Sequence, residues 1–144
     1  MTQRHFQESV QDDAGLDPQF KSLLLHHWME ELQHAQLDTL MVQAIAADMS
    51  EADIQAGFEG YLALGGFLDE GLKQQVQLDR AALERATGRQ LSNDESDAFV
   101  AAQHQANRWT YIGSGTSHPR FLGTVGELSP AMRETIEAAA PAFS

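Results

Sequence analysis

The sequence predicts an all-α protein, and three observations carry that expectation. Between its turn residues the chain runs in long segments whose apolar residues recur at helical rather than alternating spacing. Helix-start signals stand at the heads of those segments: Asp17-Pro18, Ser50 with Asp53 three residues later, and Ser129-Pro130. The breaks between segments are few and strong, at Gly88, Gly113-Ser114-Gly115 and Pro141.

Taken in order, residues 1–10 are expected to be the end of a helix. Gln11 to Pro18 is a loop that caps the next helix, with Asp17 at N-cap and Pro18 at the first helical position. That helix runs to about Met49. Ser50-Glu51-Ala52-Asp53 fits a capping box with Asp in the Glu/Gln slot, and opens a second long helix that ends at Gly88 after Thr87. Its glycines make a kink possible. Ser92 or Asn93 caps a third helix, which passes through Phe99, Trp109 and Ile112 until Gly113-Ser114-Gly115 stops it. Thr116 to Leu128 is read as irregular, and Ser129-Pro130 begins a short helix over 130–139. The two long helices are expected to pair as an antiparallel hairpin, joined by a third helix and the short C-terminal one. Residues 1–144 form a single domain: an N-terminal segment and loop (1–16), a helical core with its following loop (17–128), and the C-terminal helix (129–144).

Composition bounds the function. The 144 residues carry 9 Lys+Arg against 21 Asp+Glu, a formal charge of −12, with 6 His and no Cys. A chain of this length buries roughly 68–70% of its unfolded surface as one domain. Thiol nucleophiles, redox CxxC pairs, zinc knuckles and iron–sulfur ligation are excluded. Without a Lys/Arg cluster, neither nucleic acid nor an anionic membrane is expected as partner. The absence of a long apolar run or a secretory signal points to a cytoplasmic protein.

The informative feature is a polar cluster on the first long helix. At about 100° per residue, His27 at 0° places Glu31 near +40°, His34 near −20° and Asp38 near +20°. Phe20, Leu23 and Leu24 below and Met41 and Ile45 above lie on the same side. A lone buried carboxylate is costly, and a metal ion neutralises it. Glu31-x-x-His34 is the spacing that brings both side chains to one ion in di-iron carboxylate bundles, and oxygen donors with a few imidazoles suit iron or manganese. The competing arrangement turns this stripe to solvent, with Trp28, Leu32, Ala35 and Val42 as the core face. His26, Glu30 and Gln33 lie off the stripe on a solvated face.

On the second long helix, Asp69 is the acid in the apolar stripe of Ile54, Phe58, Tyr61, Gly65, Leu72, Val76 and Leu83. Hairpin geometry sets it level with Glu31, as a ligand or as a partner for His27 or His34. The alternative leaves it exposed at a kink beside Gly65, Gly66 and Gly71. Glu59 and Glu70 are read as solvated, His104 as structural or exposed, and His118 as organising the loop before Pro119. A complete di-iron bundle needs two Glu-x-x-His pairs and two further Glu helices, and this sequence has one such pair. The rest must come from a second copy, from residues absent here, or not exist.

Five stretches carry a family resemblance. His5 to Ser9, Leu16 to Lys21 and His27 to Ala35, with Arg108 to Ile112 and Ser117 to Phe121, resemble the C-terminal half of bacterial ferritin-like proteins. His27-x-x-x-Glu31-x-x-His34 is also similar to the last ligand helix of the p-aminobenzoate N-oxygenase type of di-iron protein. The resemblance implies a ferritin-like bundle or half-bundle and O₂ activation at a di-iron centre, with Glu31 bridging or chelating and His27 and His34 terminal.

Two functions follow as expectations. The first is iron or manganese binding through His27, Glu31, His34, Asp38 and Asp69, completed by a homodimer and used for O₂-dependent oxidation or metal handling. The second is a non-catalytic helical interaction module whose polar stripe is a hydrogen-bond network or partner surface. A hydrolase is set aside, since no nucleophile motif such as GxSxG is present.

Overall fold

The computed structural model describes residues 3–143 and is helical from end to end, with no strand among the described residues. Helix α1 spans Gln3–Ser9, α2 Pro18–Ala46 and α3 Glu51–Thr87. Then come α4 (Asn93–Arg108), a π-helical turn (Trp109–Gly113), α5 (Ser114–Thr116), α6 (Pro119–Leu128), α7 (Pro130–Ala139) and a closing 3₁₀ turn (Ala140–Phe143). Among the described residues, no helix is long and apolar enough to cross a membrane.

The helix starts follow their caps. The Asp17 carboxylate accepts from the N–H groups of Gln19 and Phe20 at 2.8 and 3.0 Å, with Pro18 at the first helical position. Ser50 accepts from the Asp53 N–H and donates to its carboxylate at 2.6 Å. Ser92, rather than Asn93, caps α4 in a complete capping box with Glu95. Gly88 ends α3 in the left-handed region at φ 65°.

Two expectations about the C-terminal third are overturned. Gly113-Ser114-Gly115 does not stop the third helix, because the chain widens into a π turn and stays helical to Thr116. Hydroxyls sustain it: Thr110, Ser114 and Thr116 each donate to the carbonyl one turn back, at 2.8, 3.3 and 3.0 Å. Gly113 is required there, since a Cβ would collide with the Phe143 carbonyl. The stretch read as irregular contains α6, because the His118 ring caps it by accepting the Arg120 N–H at 3.2 Å and Pro119 fills the first position.

A third correction concerns the long hairpin. The chain does turn at Ala47–Ser50, but α3 packs on α4, while α2 packs on α1 and α6. The reason lies in their apolar faces. Ile54 and Phe58, at the start of α3, join Val125, Met132 and Ile136 of α6 and α7, and further along α3 Leu72 and Val76 are buried. On α2, Trp28 stacks on Phe6 of α1 with ring centres 5.5 Å apart. No residue of α2 is buried, though it is 29 residues long.

Candidate functional site

The α2 helix presents two faces. Leu24, Leu25, Trp28, Thr39, Gln43 and Ala46 are half-buried toward the rest of the chain. Beside that face, about 100° around the helix, lies the stripe that holds His27, His34 and Asp38, all exposed, with Glu31 at its edge. The large apolar residues of this stripe are also in solvent: Phe20 is 47% exposed, Leu23 64%, Met41 51% and Ile45 59%. Of the two arrangements open from the sequence, the single chain adopts the one with Trp28 inward.

Within the stripe, three of the four residues cluster. His27 Nε2 lies 4.0 Å from Glu31 Oε1, and His34 Nδ1 lies 3.4 Å from Glu31 Oε2. Both rings flank one carboxylate as the i, i+4 and i, i+3 spacings dictate. The three side chains are 47%, 43% and 60% exposed, so water solvates each and no ion is needed to neutralise Glu31. Asp38 stands one turn beyond His34 and shares no hydrogen bond with the cluster among those resolved. Glu31, His34 and Asp38 also line a groove of about 770 Å³ between α2 and α6, opposite Tyr61, His118, Arg120 and Phe121. Burial, with Arg120 and Arg4 near, pushes the His118 ring below its ordinary pKa, which suits the neutral nitrogen that caps α6. Burial likewise pushes the Tyr61 phenol up. The Trp28 Nε1 is buried and has no hydrogen-bond partner, so it offers a donor to an acceptor entering beside it.

Asp69 is not beside α2. Its carboxylate accepts two bonds from Arg108, from Nε and Nη2, each at 2.7 Å, and meets His104 Nε2 at 2.8 Å. Arg108 also donates to the Ala142 carbonyl and lies over the Phe143 ring at 5.0 Å, so one guanidinium fastens the C-terminal turn to the α3–α4 pair. The bidentate Arg108 holds the Asp69 carboxyl down at about 2, with His104 adding to it. His104 is therefore structural, as expected, and Asp69 has its positive partner without a metal. Sequence reasoning missed Arg108. The signal was present, because counting outward from the α3–α4 turn sets Asp69 nearly level with Arg108.

The donor set can be tested against a di-iron centre. Glu31 with two imidazoles is the right chemistry for iron or manganese, but all three donors come from one helix. Among the described residues, no group of three or more His, Asp and Glu side chains is gathered closely enough to hold an ion. One chain therefore does not fit a complete di-iron site. No protein-family model matches the chain, and neither a curated protein nor a solved structure does.

Proposed function

We propose that this chain is a helical association module whose contact surface is the exposed α2 stripe. One observation carries this reading: a 29-residue helix buries none of its residues and turns Phe20, Leu23, Met41 and Ile45 to water on one line. Scattered exposed apolar residues are ordinary, but two apolar patches on one helix face with a polar centre between them form a surface suited to interaction. His27, Glu31, His34 and Asp38 in its middle supply polar specificity where the flanks supply area.

The test is substitution on the stripe. Met41→Glu and Ile45→Glu are expected to keep the helical circular dichroism, because neither side chain packs on the rest of the subunit. Both should abolish the self-association or the hydrophobic-dye binding shown by the parent chain. A parent chain that neither associates nor binds the dye overturns the reading, and so do variants that unfold.

A second reading is favoured by the two imidazoles flanking Glu31. In it the chain is part of a ferritin-like bundle, and His27, Glu31 and His34 hold iron or manganese once further donors are supplied. The metal would supply O₂ activation for oxidation chemistry or metal handling. Its measure is metal per chain after expression with iron and manganese supplied. Near-stoichiometric metal that falls at least tenfold in Glu31→Ala supports it, and full metal in that variant sinks it.

A further inference from the structure

The α2 stripe has an internal symmetry that specifies its occupant. Counted from a point between Leu32 and Gln33, its residues mirror one another in kind. Phe20 stands as far from that point on one side as Ile45 does on the other. The polar residues follow the same rule: His27 mirrors Asp38, and Glu31 mirrors His34. All six positions lie within about 40° of the stripe's centre line.

A two-fold axis pairs each residue of an isologous interface with its mirror. We propose that a second copy of this chain docks on the stripe, its α2 antiparallel to the first across a dyad between Leu32 and Gln33. The pairing rests on the association reading above and names the partner. It sets apolar on apolar at both flanks, Phe20 against the partner's Ile45 and Ile45 against the partner's Phe20. At the centre it sets imidazole against carboxylate, His27 facing the partner's Asp38 and Glu31 facing the partner's His34. A parallel pairing would oppose Glu31 to the partner's Glu31 and His27 to the partner's His27, so like groups meet and the stripe selects against it. Around the dyad, two Glu31, two Asp38, two His27 and two His34 come together, so the partner contributes the donors that one chain lacks.

The surface of the subunit is consistent with such a partner. Its accessible area is 9557 Å². A folded monomer of 15.9 kDa exposes about 7,400 Å². The surplus, about 2,200 Å², is of the order of the roughly 1,000–2,500 Å² that each subunit buries in an obligate dimer, and it takes in Leu64, Phe67 and Leu78 of α3 as well as the α2 stripe.

The chain has no cysteine, so single thiols report the register cleanly. In the antiparallel pairing, Phe20→Cys on one subunit lies opposite Ile45→Cys on the other. The two Phe20→Cys positions are then about 37 Å apart, 25 residues at 1.5 Å each. Sedimentation should give a dimer. A short bismaleimide should link an equimolar mixture of the two variants into a heterodimer at least tenfold more than it links Phe20→Cys alone. Stripe-dependent association with Phe20→Cys linking to itself, or with a stoichiometry above two, overturns the register and leaves the association reading standing. A monomer that binds the hydrophobic dye overturns the second copy as occupant, and another protein then covers the stripe. Loss of both association and dye binding removes the reading beneath it as well.

Discussion

At the scale of single residues, Asp69 decides most. It is nearly buried, and its charge persists because Arg108 grips both oxygens while His104 meets one. Removing one partner leaves the other charge stranded in a half-buried setting. Asp69→Ala is therefore expected to cost on the order of 3 kcal/mol in chemical denaturation. The pH dependence has a definite sign. The folded carboxyl sits at about 2 against an ordinary 3.8, so its contribution is complete above the unfolded value. It is lost as pH falls from 3.8 toward 2, and Asp69→Asn should flatten the stability curve over that interval. A variant whose acid unfolding tracks the parent's would show that the cluster is not what holds this contact. The anomaly of an acid in an apolar stripe was legible in the sequence. Its partner was legible only by counting from the α3–α4 turn, because a hairpin of α2 and α3 points Asp69 at Glu31 rather than at Arg108 on the next helix.

At the scale of elements, the helix starts were legible because their causes are local. Asp17, Ser50 and Ser92 accept N–H groups two or three residues ahead, and no tertiary contact is needed to see that. The stop at Gly113 was misread for the opposite reason. That glycine answers to the backbone of Phe143, thirty residues away, and not to a helix end. Its role is checked by Gly113→Ala, whose methyl must displace the closing turn and with it the Phe143 ring over Arg108. The expected cost is about 1–3 kcal/mol by thermal unfolding, the range of a small-to-large change in a packed site. An alanine tolerated without loss would mean that the turn moves aside freely. The capping role of His118 also escaped, since a histidine with a proline after it reads as loop until its ring nitrogen is seen to accept an N–H.

At the scale of the whole molecule, the all-α class was legible and the arrangement was not. Periodicity tells which residues share a face but not which face meets which neighbour. For α2 it offered two apolar faces, and only packing could choose Trp28 and Phe6 over Phe20 and Ile45. The choice leaves the His27, Glu31 and His34 cluster at the surface. That position explains how one stripe could be read at once as a metal site and as a solvated face.

The absence of any buried residue along α2 bears on when this helix becomes secure. Most packed pairs join elements adjacent in the chain, α3 with α4 and α6 with α7, and such local contacts form early and fast. The α2 helix meets α1 locally, but its second neighbour, α6, comes roughly eighty residues later, and even with both it gains little cover. If a second copy covers the stripe as proposed, the last stabilising step of α2 is an encounter between subunits, whose rate rises with their concentration. On that proposal a newly made chain carries its docking surface uncovered during the interval in which it is most dilute, and the histidines and acids across that surface temper what else can adhere to it.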